Sequence, residues 1–246
     1  LQSARLLLMD FDHDPESLTR LTVDLLRKED FRCNTYLRPL AYKSDEIIGV
    51  KLHDLKAELS ITAVPNLVYT GHETDAHVTV SSWRRLDDNT IPARGKISGA
   101  YASSALIKTD AVRAGFDEAL VLNQDGHVSE ASAMNVFMFR NGVLITPPIT
   151  DNILEGITRR SVIELARKEM GLEVVERSID RTEIYICDEL FLAGTAAQIM
   201  AINRVDHRPV GAGVMGPIAA RLRELFLTAV ICNLKGYEHW TTPVYA

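Results

Sequence analysis

The chain has 246 residues, of which 46% are hydrophobic and 24% charged, so it can form one large domain or two modest ones with a buried core. Its 27 basic and 33 acidic residues give a net charge of −6, which argues against a nucleic-acid or anionic-membrane partner. The apolar runs are too short to span a membrane. The three cysteines are far apart and form no Cys-x-x-Cys pair, which argues against a disulfide framework or a zinc site and favours the cytoplasm.

The first third of the chain predicts a small amino-terminal domain over residues 1–69. Residues 1–8 begin inside an apolar helical stripe with no capping residue, so we expect the start of this domain to be missing. An amphipathic helix is predicted over residues 15–30, with Pro15 in its first turn and a row of leucines on one face. Strands are predicted over residues 34–44, 46–52 and 58–69.

A larger second domain is predicted over residues 78–246, after a linker at 70–77. The linker is the most polar stretch of the chain and lacks periodicity. Strands are predicted over residues 78–83, 118–123, 133–140, 142–146 and 189–193. Helices are predicted over residues 99–114, 158–170 and 217–227. Because helices and strands do not alternate strictly, the fold class is α+β or mixed α/β rather than a doubly wound sheet.

One glycine motif has the pattern of a dinucleotide-binding turn. Gly211, Gly213 and Gly216 spell Gly-x-Gly-x-x-Gly. That fingerprint needs a following strand and an acidic residue about twenty positions further on, whereas only a helix and a short tail follow here. We therefore interpret these glycines as turn residues before a helix that begins at Pro217.

Two other turns have the residues of an anion site. In Glu155-Gly-Ile-Thr-Arg-Arg160 a loop enters a helix, so backbone amides and the Thr158 hydroxyl collect at a helix N-terminus. An ordinary capped helix explains the same residues. Gly194-Thr-Ala-Ala197 follows a predicted strand and either holds an anion or only reverses the chain.

Two ionisable residues are candidates for chemistry. Lys96 lies among small residues just before a predicted helix, where a partly desolvated lysine is an amine nucleophile, although most lysines are solvated surface charges. Glu130 lies between predicted strands and is not an obvious surface-helix charge. Spacing alone does not pair the two.

Five segments, in their order along the chain, together resemble the fold type IV aminotransferases, and most closely the branched-chain members. They are YLRPLAYKS, NTIPARGKISGAYASSALIKTDA, GFDEALVLNQDGHVSEASAMNVFMFRNGVLITPP, NILEGITRRSVIELA and DELFLAGTAAQI. The resemblance covers the whole chain. It implies two α/β domains with pyridoxal 5'-phosphate between them, and a cytoplasmic homodimer or larger homo-oligomer.

The resemblance also implies roles for single residues. Lys96 matches the lysine that carries the cofactor and acts as general base and acid. Tyr101 matches the tyrosine that hydrogen-bonds the cofactor's phenolic oxygen, and Glu130 the carboxylate that faces the pyridine nitrogen. The other residues implied to bind the cofactor are Leu154, Gly156, Ile157, Thr158 and Thr195. Those implied to bind the substrate are Tyr36, Arg38, Gly194, Thr195 and Ala196.

The implied reaction is ping-pong transfer of the amino group of leucine, isoleucine or valine to 2-oxoglutarate. Alternatives on the same fold are a D-amino-acid or (R)-amine transaminase and an aminodeoxychorismate lyase, which uses the same lysine. A cofactor-less binding protein is the alternative from another class. Tyr36, Arg38 and the Gly-Thr-Ala-Ala turn argue against D-amino-acid specificity without excluding amines.

The sequence departs from the family pattern in three places. The family's phosphate-binding arginine, which lies in the amino-terminal residues, has no match in this sequence. Gln198 follows the Gly-Thr-Ala-Ala turn where a glutamate is usual. Ala131 and Met134 replace the commoner glycine and glutamate beside Glu130.

Overall fold

The computed structural model describes residues 1–66, 71–72 and 74–245. The chain divides into two compact units, Leu1–Tyr69 with Thr242–Ala246 and Thr70–Thr241. The last five residues thus group with the first unit, whereas the sequence analysis places them in the second. Helices and strands are mixed along the chain, and the prediction of a mixed α/β fold is confirmed. Within the described ranges, no helix is both long enough and apolar enough to cross a membrane.

In its described part, the first unit contains two helices and one β-hairpin. Its elements are α1 (Gln2–Leu6), α2 (Pro15–Lys28), β1 (Thr35–Lys43) and β2 (Ala57–Pro65). α2 begins with Pro15 at its first position, as predicted, and the Asp14 carboxylate accepts a hydrogen bond from the Ser17 amide at 2.7 Å. The end of the chain packs on this helix, since the Tyr245 hydroxyl donates to the carbonyl of Leu26 at 3.0 Å.

The strand predicted over residues 46–52 is absent, so that prediction is wrong. These residues lie in the loop of the antiparallel β1–β2 hairpin, which closes where the Ser44 amide donates to the Lys56 carbonyl at 3.1 Å. Their aliphatic composition favours a strand, but no strand within the described ranges pairs with them. Ile48 and Val50 are fully exposed instead. Residues 67–69 of the strand predicted over 58–69 lie outside the described residues.

In its described part, the second unit contains nine strands and three α-helices. The strands are β3 (Ala76–Arg84), β4 (Glu118–Leu122), β5 (Val128–Ala131), β6 (Asn135–Arg140), β7 (Val143–Thr146), β8 (Val174–Glu176), β9 (Glu189–Gly194), β10 (Gln198–Val205) and β11 (Arg208–Pro209). The helices are α3 (Tyr101–Arg113), α4 (Ile157–Met170) and α5 (Pro217–Val230). All three helices were predicted to within a few residues, whereas β5, β8, β10 and β11 were not predicted. Ala76 and His77 belong to β3 and not to the predicted linker, of which residues 70 and 73 lie outside the described ranges.

Six of these strands form a closed ring. Going around it, β3 pairs with β4, β4 with β5, β5 with β6, β6 with β9, β9 with β10, and β10 again with β3. The β3–β4 and β3–β10 pairs are parallel and the other four are antiparallel. Each ring strand therefore has a hydrogen-bonded neighbour on both sides. β7 and β8 extend the sheet from β6, and β11 extends it from β10.

The alternation of side chains along the ring strands separates the core inside the ring from the cores outside it. Val136 of β6 and Leu192 of β9 belong to a cluster that draws on all six ring strands and so fills the ring. The adjacent Phe137 and Phe191 point the other way and stack at 5.1 Å, in a second cluster with α4 and α5. The ring is thus a packed scaffold.

The Gly-x-Gly-x-x-Gly motif has a structural role. Gly211 has φ +50°, and a Cβ there would overlap the carbonyl of Asp188. A Cβ at Gly216 would overlap the side chain of Glu189, whose carboxylate accepts the Ile218 and Ala219 amides at the start of α5 at 3.0 and 2.8 Å. The motif lets a carboxylate approach a helix N-terminus, as expected for turn glycines rather than for a dinucleotide site.

Candidate active site

Lys96 lies in the segment that connects β3 to α3. Ala93 and Gly95 beside it are buried, and a short 3-10 turn at Ser98–Ala100 leads into α3. Lys96 itself is exposed in the structure, as most lysines are. Tyr101 is the first residue of α3 and is 40% exposed. Both candidate residues are therefore accessible at the start of one helix.

The Glu130 carboxylate is buried and receives three nitrogen donors. It lies on β5, directly opposite Asn135 of β6, and not between strands as predicted. Its Oε1 accepts from Asn135 Nδ2 at 2.9 Å and from the Leu154 amide, while Oε2 lies 3.0 Å from Arg85 Nη2. Only 3% of the residue is exposed. A short, unpredicted strand thus presents a carboxylate with a nitrogen partner on each oxygen.

Burial and nearby cations act against each other on this carboxyl. Burial raises the pKa of Glu130, because the charged form loses water, while the charge of Arg85 and the amide of Leu154 lower it. Arg159 and Lys96 also lower that pKa through their charges. The structure thereby brings Lys96 and Glu130 into one electrostatic environment, which their spacing in the sequence did not reveal.

Arg85 is a site residue that the sequence analysis missed. It follows β3 directly, its side chain is 15% exposed, and its Nε donates to the carbonyl of Asn152 at 2.9 Å. The preceding Arg84 is exposed. Two adjacent arginines after a strand give no sign of which one is buried, and only the fold brings Glu130 to Arg85.

The N-terminus of α4 is open to an anion. Gly156 is the N-cap, and no side chain in the described ranges caps the first turn. A Cβ at Gly156 would overlap Asn135 Oδ1, so glycine is required here. Ile157 is 73% exposed and Thr158 is buried. The free amides and the helix dipole suit a phosphate, and Asn135 joins this turn to Glu130 because its Nδ2 also donates to the Leu154 carbonyl at 2.9 Å.

The Gly-Thr-Ala-Ala segment forms the β9–β10 hairpin turn. Gly194 pairs with Gln198 across the turn, and Thr195 is exposed. Met134 packs so close that a Cβ at Gly194 would lie 3.1 Å from its Cγ. Gln198 has φ +55°, the left-handed conformation that closes a three-residue hairpin loop and favours glycine or asparagine. The unusual glutamine is thus at a conformationally demanding position.

Tyr36 and Arg38 belong to the first unit. They lie two residues apart on β1, with the Arg38 guanidinium 5.5 Å from the centre of the Tyr36 ring. Tyr36 is half-buried and Arg38 is exposed. The Tyr-x-Arg element is therefore a pair on one face of a strand, as its spacing predicts. Over the residues that the structure describes, no group of three or more histidine, cysteine, aspartate or glutamate side chains could hold a metal ion.

Comparison with known proteins identifies the family. The chain matches the amino-transferase class IV model over residues 1–205. It is 44% identical over 245 residues to a probable branched-chain-amino-acid aminotransferase of Aquifex aeolicus, covering 100% of this chain and 79% of the relative. Among solved structures, it is similar to the branched-chain aminotransferase of Thermoproteus uzoniensis with norvaline, with a TM-score of 0.94 at 38% identity, covering 99% and 80% of the two chains. The T.th. branched-chain amino acid aminotransferase complexed with N-(5'-phosphopyridoxyl)-L-glutamate has a TM-score of 0.91 at 38% identity, with the same coverage. The chain belongs to the class IV aminotransferase family.

Proposed function

We propose that this chain is a pyridoxal-phosphate-dependent aminotransferase that transfers the amino group of L-leucine, L-isoleucine or L-valine to 2-oxoglutarate. Its family membership and 44% identity to a branched-chain relative support this activity. The norvaline and phosphopyridoxyl-glutamate complexes of similar enzymes support both half-reactions and the cofactor. The observation in this chain that carries the proposal is the buried Glu130 carboxylate, which accepts from Asn135 at 2.9 Å and lies 3.0 Å from Arg85.

The residues present fit pyridoxal phosphate. A buried carboxyl group, a lysine and a helix N-terminus without a side-chain cap are groups that suit a pyridine nitrogen, an aldehyde and a phosphate. When bound, pyridoxal phosphate takes up the negative charge that is left when a proton leaves the substrate's α-carbon. The protein residues supply binding, orientation and proton transfer.

In this proposal Lys96 carries the cofactor and then moves the proton. Its Nζ must be deprotonated to act as a base towards the α-carbon, and it returns the proton afterwards. Glu130 keeps the ring nitrogen protonated, because an ionised carboxylate stabilises an adjacent N–H⁺. The Tyr101 hydroxyl would donate a hydrogen bond to the phenolic oxygen of the cofactor, and Leu154 would pack against the cofactor's ring.

Backbone amides bind the two anionic ends. The turn around Gly156, Ile157 and Thr158, together with Thr195, holds the phosphate, since helix N-terminal amides bind anions without titrating. The amides of Gly194, Thr195 and Ala196 hold the substrate carboxylate. In this proposal Tyr36 and Arg38 also bind the substrate.

A substrate panel tests the specificity. In single half-reactions, L-leucine, L-isoleucine and L-valine should convert the bound cofactor to its amine form at least roughly 10²-fold faster than D-alanine or (R)-1-phenylethylamine. The rate is followed by the change in cofactor absorbance after rapid mixing. If D-alanine reacts fastest of the substrates tested, the proposal is contradicted. If (R)-1-phenylethylamine and L-leucine react at comparable rates, the substrate pocket also accepts amines.

We further propose a homodimer or larger homo-oligomer. The β1–β2 loop exposes a group of aliphatic side chains that a second copy of the chain could cover. They are Ile47, Ile48, Val50 and Leu52. Sedimentation velocity of the wild type should show an oligomer that Ile48→Lys weakens, whereas Ile186→Lys, at another exposed isoleucine, should not. A monomeric wild type at micromolar concentration would refute the assembly.

We also propose a cytoplasmic location. Cys33 and Cys232 are exposed, Cys187 is buried, and all three are free thiols. Free exposed thiols suit a reducing compartment.

A further inference from the structure

The Glu130 carboxyl must be ionised to serve the proposed function, yet its position favours the neutral acid. The residue is 3% exposed, and burial raises its pKa. Removing a carboxylate from water without a compensating charge drives it to protonate. A protonated Glu130 would have an O–H group and no net charge, and could not stabilise a protonated ring nitrogen. Something else in the site has to keep the carboxyl ionised.

Three cations influence Glu130, and they differ in what else they do. Arg159 is buried and engaged elsewhere, with its Nη2 2.7 Å from Glu176 and 2.9 Å from the Pro147 carbonyl. Lys96 must lose its proton to act as a base, so its charge changes during the reaction. The Arg85 guanidinium contacts the carboxylate directly, at 3.0 Å, and it stays protonated at every working pH.

Arg85 is also fixed at both ends. Its backbone amide donates to the Leu122 carbonyl at 2.9 Å, and its Nε donates to the Asn152 carbonyl at 2.9 Å. Its Nη2 is then free to meet Glu130 Oε2 at 3.0 Å. Asn135 and Leu154 both donate to Oε1 of Glu130. Oε2 has Arg85 as its partner and can accept a further hydrogen bond from a ligand. The position of the Arg85 guanidinium therefore determines the orientation of Oε2.

We propose that Arg85 is a positioning residue of this active site, which keeps the Glu130 carboxylate ionised and aims its Oε2 while anchored to the Asn152 carbonyl. The proposal rests on the function proposed above, in which Glu130 faces the cofactor's ring nitrogen. In this proposal Arg85 acts through its ion pair with Glu130 and not on the substrate or the cofactor directly.

The first test uses the protein without cofactor and is independent of activity. Infrared difference spectra distinguish a protonated carboxyl from a carboxylate. At neutral pH, Arg85→Met should show a protonated-carboxyl band that the wild type lacks, and this band should vanish in the Arg85→Met, Glu130→Gln double variant. Arg84→Met, at the exposed neighbouring arginine, should resemble the wild type. If a folded Arg85→Met protein lacks the protonated-carboxyl band, the proposal is overturned, even if the enzyme transaminates. If the band is present, the proposal is supported, even if the enzyme acts on a different substrate.

The second test asks whether the two residues act as a unit. In the half-reaction with L-leucine, Arg85→Met should slow α-proton removal by ~10²-fold, and adding Glu130→Gln should slow it little further. If the rate losses of the two single variants multiply in the double variant, the proposal is overturned.

If Arg85→Met does not fold, the Arg85→Lys variant provides the test. The lysine keeps the charge but cannot hold Glu130 and Asn152 together, so we expect kcat to fall by ~10-fold with KM little changed. A wild-type kcat in Arg85→Lys would show that aiming Oε2 is unimportant.

Discussion

Replacing Lys96 with alanine should lower transamination of L-leucine by roughly 10³-fold or more, while the variant still binds pyridoxal phosphate non-covalently. The variant loses both the covalent attachment point and the base that moves the α-proton. Lys96 is exposed in the segment that precedes α3, so its removal leaves no cavity and the fold should be unaffected. The rate is measured with leucine and 2-oxoglutarate, and cofactor binding by equilibrium dialysis.

Two further variants make this result specific. Lys96→Arg keeps the charge but should be as inactive as the alanine variant, because a guanidinium neither carries the cofactor nor acts as a base. Lys168→Ala, at an exposed α4 lysine that pairs with Glu164 at 2.6 Å, should keep wild-type activity. Borohydride reduction followed by peptide mapping should place the pyridoxyl label on Lys96. A label on Lys43 or Lys108 would show that the assignment is wrong.

Glu130→Gln should slow α-proton removal by ~10²-fold or more, with the cofactor still bound. The amide is nearly the same size and can still accept from Asn135 and Leu154, but it has no charge with which to keep a ring nitrogen protonated. The loss should therefore fall on the chemical step and not on substrate affinity. Single-turnover rates with L-leucine over a range of concentrations separate the two.

The matched control for this substitution is Glu155→Gln. Glu155 precedes the α4 N-terminus and lies 3.4 Å from Arg94, with its side chain 46% exposed, so the exchange removes a carboxylate from the same region without touching Glu130. It should react at close to the wild-type rate. Wild-type single-turnover rates in Glu130→Gln would remove Glu130 from the mechanism.

Much of the fold could be predicted because periodicity and capping are local. α2 and α5 begin at Pro15 and Pro217, where the sequence places them. The failures occur where a strand depends on a distant partner. Residues 46–52 have strand composition but no neighbour, whereas the four residues of β5 are strand only because β4 and β6 flank them.

The site was predicted only as far as the family pattern reaches. The resemblance to fold type IV aminotransferases is confirmed, and it singled out Lys96 and Glu130. The groups that control Glu130 come from three separate segments, which carry Arg85, Asn135 and Leu154. Neither the arginine nor the asparagine stands out by composition, since their roles depend on distances that only the folded ring creates.

The closed ring has a consequence for the way the second unit folds. Its last pairing joins β3 to β10, where Ala76 meets Ile202, so the ring cannot close until most of the unit has been synthesised. Until then the outer edge of β3 has unpaired backbone groups that can recruit strands of other nascent chains. Contacts so distant in sequence also form slowly, because a long loop must be closed first. The ring therefore closes after translation of β10, and not strand by strand as the chain leaves the ribosome.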